Sequence, residues 1–217
     1  MQIAIVGGTG KEGSGLALRW ANAGHEIIIG SRDAEKAARV AEELNLALGN
    51  GAARVRGATN LDAAQAGEVV VLTVPYSAHA DTLRSVQPAL SGKVLIDVTV
   101  PVNPADITRV SVPAGGSATV EAQRLLGPDV KVVAAFQNIS FTHLKKLDTA
   151  IDCDVLVCGD DAQAKQIALQ LVQDAGMRGF DAGPADNAIV VEGLTSVLLA
   201  INKRHKIKGA GIRITGV

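Results

Sequence analysis

The feature that most constrains this chain is the opening segment Ile3-Ala4-Ile5-Val6-Gly7-Gly8-Thr9-Gly10-Lys11-Glu12-Gly13. Gly8, Gly10 and Gly13 satisfy G-x-G-x-x-G between an apolar β run and a helical stretch. The first glycine allows a tight turn and the second lets the backbone approach a pyrophosphate. The third lets helix and strand pack closely, and the helix N-terminus faces the anion. Such a unit belongs to a sheet wound on both faces by helices, provided the rest of the chain alternates in the same way.

It does so for roughly the first 140 residues. Gln2–Val6 reads as a strand and Lys11–Ala23 as a helix, with Gly24 placed for its C-cap. His25–Gly30 is a strand, and Ala34–Leu48 is a helix stopped by Gly49-Asn50-Gly51. Val55–Ala58 is a weak strand, Asp62–Ala66 a short helix and Glu68–Val74 a strong strand. Val94–Val100 and Lys131–Phe136 are two more apolar β runs. Strands that are continuously Val, Ile and Leu, rather than alternating, have both faces covered, so the sheet is parallel. The fold class expected is α/β, a Rossmann-like doubly wound, mostly parallel sheet with a small C-terminal α+β unit. The boundary is placed at 140/141, where the pattern loosens into strand Val155–Cys158, helix Ala162–Ala175, strand Phe180–Ala182 and helix Ala185–Lys203.

Composition narrows the partners. At 217 residues the chain can bury roughly 70% of its unfolded surface without disulfides or metal. Twenty-one basic residues against twenty-two acidic ones, and five aromatics in all, argue against nucleic acid or an anionic membrane surface as partner. The N-terminus lacks a basic stretch before its apolar run, and the charge-free stretch Val69–Ala80 contains Pro75, so neither a signal peptide nor a membrane span is expected. Cys153 and Cys158 stand five apart in the apparent apolar run Ile151–Cys158 and, as a strand, would point to opposite faces, so they are not expected to pair. They read as small buried hydrophobes in a reducing cytoplasm, and no metal site is expected.

The end of the second strand decides the nucleotide. An NAD site places an acid there to accept from the ribose 2′-hydroxyl. Here the strand ends in Gly30-Ser31-Arg32, with Lys36 one turn on. Arg32 and Lys36 can hold a 2′-phosphate by charge-assisted hydrogen bonds, and Ser31 can donate its hydroxyl. Asp33 lies beyond the strand and is better placed to cap the next helix. Two cations in a helix's first turn oppose its dipole, and a bound anion accounts for them. The expected cofactor is NADP(H).

Gly7-Gly8-Thr9-Gly10 followed by Gly30-Ser31-Arg32 resembles the NADPH-dependent F420 reductases, the F420H2:NADP oxidoreductases. The resemblance runs nearly the whole chain, through Leu72-Thr73-Val74-Pro75, Val98-Thr99-Val100-Pro101-Val102 and Cys158-Gly159-Asp160-Asp161 to Asp181-Ala182-Gly183-Pro184 and Val191-Glu192-Gly193-Leu194-Thr195. It implies hydride transfer between NADPH and the deazaflavin coenzyme F420, with a small C-terminal unit covering the coenzyme, and a homodimer. Carried over, the NADP contacts are Gly8, Thr9, Gly10, Lys11, Glu12, Gly13, Ser31, Arg32 and Lys36, with Val74 and Pro75 at the nicotinamide end. The deazaflavin side is Val98, Pro101, Val102, Gln137 and Ile139. One departure is Gln137, where the family carries a His. Its amide can donate to a ring carbonyl but carries no proton.

The chemistry requires only that the two rings stack within about 3.5 Å, so positioning suffices and no obligatory acid or base is expected. Gln137 is the one candidate near the reacting atoms. An NADPH reductase of another flavin, quinone or carbonyl compound, or a non-catalytic NADPH sensor, shares the same nucleotide half. The basic cluster Lys203, Arg204, His205, Lys206 and Lys208 either completes a helix end or reaches the coenzyme's anionic tail. The apolar run Ile189–Ile201 is too long to hide in a unit of this size, so part of it is expected to meet a second copy.

Overall fold

The computed structural model describes residues 1–49 and 54–217. Asn50 and Gly51 of the expected helix stop lie outside the described residues, whereas Gly49 ends that helix in the left-handed region at φ 68°.

The strands are β1 (Gln2–Val6), β2 (Glu26–Ser31), β3 (Val55–Thr59), β4 (Val69–Leu72), β5 (Val94–Asp97), β6 (Lys131–Ala134), β7 (Asp154–Gly159) and β8 (Arg178–Asp181). Between and after them come α1 (Lys11–Asn22), α2 (Ala34–Leu48), α3 (Asn60–Ala66), α4 (Tyr76–Val86), α5 (Ala118–Leu126), α6 (Phe141–Leu144), α7 (Ala162–Asp174) and α8 (Ala188–His205). The sheet order is β3-β2-β1-β4-β5-β6-β7-β8. The first six strands are parallel, with Ile3 beside Ile27 and Val69. This is the doubly wound α/β class, and the strand order reverses between β1 and β4, where such sheets bind ligands.

Strand β7 departs from the parallel rule. It pairs antiparallel with β6 through Val133–Gly159 and Ala134–Cys158, and β8 then runs parallel to β7. The expected boundary at 140/141 lies in the segment between β6 and β7. One apolar cluster nevertheless runs from Ile3 and Ile5 through Trp20 and Phe136 to Val155, Leu171 and Met177. Trp20 anchors that continuity: its indole N–H donates to Leu171 O at 2.8 Å, and its ring meets Phe136 edge-on at 5.6 Å. The other face packs a separate cluster that includes Val70, Leu83, Leu95 and Ala122.

Three apolar runs end earlier than the sequence suggests, β6 among them at Ala134. Strand β4 stops at Leu72 and β5 at Asp97. The Asp97 carboxylate takes Thr99 N–H at 3.0 Å, which turns the chain out of the sheet before Val100 despite its β-favouring residues. Helices α4 and α5 carry no strong sequence signal. Pro75 opens the first, and Ser117 caps the second by accepting from Val120 N–H. The free cysteines do face opposite sides: Cys153 belongs to the large cluster and Cys158 to a small one under α8.

Buried Arg19 fastens α1 to the segment after β6. Its guanidinium donates to the carbonyls of Lys146 at 2.6 Å, Leu144 at 2.9 Å, His143 at 3.1 Å and Thr149 at 3.2 Å. Glu192 does the same for α8. It accepts from Ala118 N–H (2.8 Å), Thr119 N–H (3.0 Å) and Thr119 Oγ1 (2.8 Å) at the start of α5. The 21 residues Ala185–His205 are apolar and long enough to cross a membrane by length and composition, with 33% of the apolar window buried. A search for charge-free runs passes over this helix because Glu192 interrupts it.

Candidate functional site

The turn after β1 is held at every step by short bonds. Gly7 adopts φ 73°, and a Cβ there would collide with Val74 Cγ1, so this position is restricted to glycine. Its N–H donates to Asn60 Oδ1 at 3.1 Å, while Gly8 N–H donates to Gly30 O at 3.0 Å. A Cβ on Gly13 would stand 2.8 Å from Gly8 Cα and 2.6 Å from Thr73 Oγ1, so α1 begins as close to the strand ends as the backbone allows. At Gly10 a Cβ would find nothing nearer than Gly7 O at 3.7 Å. The turn is thus packed behind and open in front, where α1 starts without a side-chain cap. That is a cradle for a phosphate group: free N–H groups at a positive helix end with room before them.

A cleft of about 710 Å³ opens over this turn. Thr9, Gly10, Lys11 and Glu12 line it beside Ser31, Arg32 and Lys36 at one end. Val74, Pro75, Val98, Gln137 and Ile139 line the other. Gly8 and Gly13 stand behind the surface as packing residues, outside the lining. Pro101 and Val102 are also outside it: Val102 bridges to Val110 instead. Residues 98–100, having left the sheet at Asp97, present the wall that the sequence assigned to the whole stretch up to Val102.

At the end of β2, Asp33 takes the helix-capping place expected of it. Asp33 caps α2, its carboxylate accepting from Lys36 N–H at 3.0 Å, so it is committed to the helix. Ser31 Oγ accepts from Asp33 N–H at 3.2 Å and keeps its own proton to donate. Arg32 and Lys36 are exposed, and neither side chain is paired among the described residues.

At the ring end, Phe136 sits in the left-handed region at φ 73° while fully buried. A non-glycine residue there stores on the order of 1–2 kcal/mol of strain. The turn puts Gln137 and Asn138 on the cleft wall. Gln137 Nε2 donates to Asp97 O at 2.7 Å, and Gln137 O accepts from Thr195 Oγ1 at 2.6 Å. Asn138 Nδ2 donates to Asp154 O at 2.7 Å. Their amide oxygens, with Glu12 Oε1, are buried without a protein partner among the described residues. Burial pushes the Glu12 carboxyl up to about 8.

Sequence reasoning missed several lining residues. Asn60 and Thr73 come from neighbouring strand ends, and Thr195, Leu198 and Asn202 from α8. Only the apolar, Thr-bearing pattern of that helix hinted at a lining role. None of the basic residues Lys203–His205, Lys206 or Lys208 lines the cleft, although Asn202 and Ala210 on either side do. Lys203, Arg204 and His205 occupy the last turn of α8, and Lys206 caps it with φ 54°.

A six-stranded parallel unit, a glycine cradle at the switch point and free cations at the end of β2 define the class: a Rossmann-type NADP-dependent oxidoreductase. Residues 2–101 match the family described as NADP oxidoreductase, coenzyme F420-dependent. The chain is 42% identical to the F420-dependent NADP reductase of Methanothermobacter thermautotrophicus, covering 100% of this chain and 96% of that one. It is 40% identical to the Methanocaldococcus jannaschii protein of the same name, covering 100% and 99%. A crystal structure of a putative F420-dependent NADP reductase from Arthrobacter superposes with TM-score 0.82 at 25% identity, covering 99% of both chains. The chain belongs to the F420-dependent NADP reductase family.

Proposed function

We propose that this protein transfers a hydride between NADPH and the deazaflavin coenzyme F420, as an NADP-dependent oxidoreductase. The observation that carries the reading is a single cleft joining the Arg32–Ser31 end, the glycine cradle and the Gln137–Ile139 wall. Arg32, Lys36 and Ser31 hold the 2′-phosphate, and the Thr9–Gly13 turn holds the pyrophosphate. Val74 and Pro75 take the nicotinamide side, and Val98, Gln137 and Ile139 the deazaflavin side. The two bound coenzymes supply the redox chemistry, and the protein brings their rings together in a dry, apolar slot. No carboxylate or imidazole has to transfer a proton at the ring carbons.

We read residues 1–140 as the nucleotide-binding part and 141–217 as the cover of the second ring. The exposed face of α8 supports a homodimer: Val190 is 69% exposed and Val197 44%, on one side of the helix with Ile201. Sedimentation should give a dimer at micromolar concentration, and a monomer refutes it. The free, buried cysteines fit a reducing cytoplasm. The functional reading is tested by mixing NADPH with purified F420 and following both absorbances, beside FMN and FAD. Equal use of FMN, or no reaction with F420, overturns it.

A further inference from the structure

Among the described residues, three buried side-chain polar atoms have no partner, and all three belong to residues lining this one cleft. Each is an oxygen. The orientation of the two amides is fixed by what their nitrogens do. Asp97 O and Asp154 O are carbonyls that can only accept, so Gln137 and Asn138 must turn their NH2 groups toward them at 2.7 Å. The oxygens are left over: Gln137 Oε1 and Asn138 Oδ1 accept and have nothing further to donate.

This reverses the role the sequence suggested for Gln137, which was donation to a ring carbonyl. A carbonyl brought against two unsatisfied oxygens would be repelled, as would a phosphate or carboxylate tail. A ring bearing an N–H satisfies them instead. Burying an acceptor without a partner is costly, so a ligand that supplies the missing donor gains that cost back.

We propose that Gln137 Oε1, with Asn138 Oδ1 as its neighbour along the chain, forms an acceptor site that recognises the imide N–H of the deazaflavin pyrimidine ring. The inference rests on the deazaflavin reading above and adds which edge of the ring faces Gln137, and why. Thr195 Oγ1 holds the Gln137 main-chain carbonyl, and Asp97 O holds the side-chain amide nitrogen, so the side chain cannot turn over to donate without losing that bond. Selection for an imide follows, and ring systems lacking that N–H are excluded.

The test is a binding titration of F420 and of its N3-methyl derivative to the wild-type protein, Gln137→Ala and Asn138→Ala, with circular dichroism to confirm folding. The wild type should bind the methylated coenzyme about 10- to 100-fold more weakly. That ratio should fall at least several-fold in Gln137→Ala, because the acceptor that read the proton is gone, whereas a merely steric penalty would persist. If Gln137→Ala does not fold, the wild-type comparison still decides, since equal binding of the two coenzymes overturns the proposal. An unchanged ratio in folded Gln137→Ala overturns it too. Absence of F420 binding, with NADPH binding intact, overturns the functional reading and this inference with it.

Discussion

His79 Nε2 lies 2.7 Å from Asp97 Oδ2, with both side chains sealed from solvent directly behind the cleft wall. The same aspartate takes Thr99 N–H with its other oxygen and Gln137 Nε2 with its carbonyl. One residue at the end of β5 thus sets where the chain leaves the sheet and how the ring-end glutamine is oriented. Burial disfavours the His79 imidazolium, but the Asp97 bond and the nearby carboxylates of Asp97, Glu192 and Glu121 outweigh it, holding its pKa above the ordinary value.

Breaking that pair should be expensive. Asp97→Asn is expected to cost about 3–5 kcal/mol, the usual loss when one partner of a buried ion pair is removed. A raised histidine pKa stabilises the fold below its unfolded pKa, and that share is lost as pH rises through the folded value. The gap in urea midpoint between wild type and Asp97→Asn should therefore be widest near pH 6 and shrink toward pH 9. A gap independent of pH would show that His79 is neutral throughout.

Arg32 is the second target. As an exposed cation without a protein partner among the described residues, it contributes nothing visible to stability and is free for the 2′-phosphate. Arg32→Ala should weaken NADPH by about 2–3 kcal/mol, the range for hydrogen bonds to a charged group. NADH, which lacks the phosphate, should change little. Equal losses for both nucleotides in a titration would remove the assignment.

These two sites differ in how far the sequence disclosed them. Much that is local was legible: the Gly8–Gly13 turn, Arg32 at the end of β2 and the Asp33 cap all lie within a few residues of the signals that mark them. What was hidden depends on contacts made late in the chain. Arg19 reaches carbonyls about 125 residues away, and Glu192 caps a helix 74 residues before it. Neither a helical Arg nor a lone Glu in an apolar helix announces its partner. Val98–Val100 reads as strand because its residues favour one, and only the Asp97–Thr99 bond shows that it is wall. The antiparallel entry of β7 has no residue signature, since apolar strands look alike in either direction. The direction of the Gln137 amide required the position of Asp97 O.

Arg19 carries a stability prediction of its own. Arg19→Leu would strip four short bonds from the carbonyls of His143, Leu144, Lys146 and Thr149. A loss of about 3 kcal/mol or more is expected, read from the chemical denaturation midpoint. Arg19→Lys should recover only part, because an ammonium cannot reproduce the planar fork. Full recovery by Lys would mean that charge alone, not the geometry of the fork, secures the segment.

Glu12 links stability, pH and the nucleotide. Its carboxyl stands at about 8 because burial penalises the charged form, against an ordinary value of 4.5. Between those values the folded protein holds a proton that the unfolded chain has released, so stability falls as pH rises through this window. Glu12→Gln should flatten that part of the stability curve. Glu12 also stands in the first turn of α1, where the pyrophosphate is proposed to bind, and an anion placed there would favour the neutral carboxyl further. Binding of NADPH should then take up a proton: little near pH 6.5, where Glu12 is already protonated, and more as pH passes 8. Calorimetry at pH 9 in two buffers of different ionisation enthalpy reads that uptake directly. The wild type should show a buffer-dependent heat and Glu12→Gln should not. Identical heats in both buffers for the wild type would mean that the carboxyl stays clear of the phosphates.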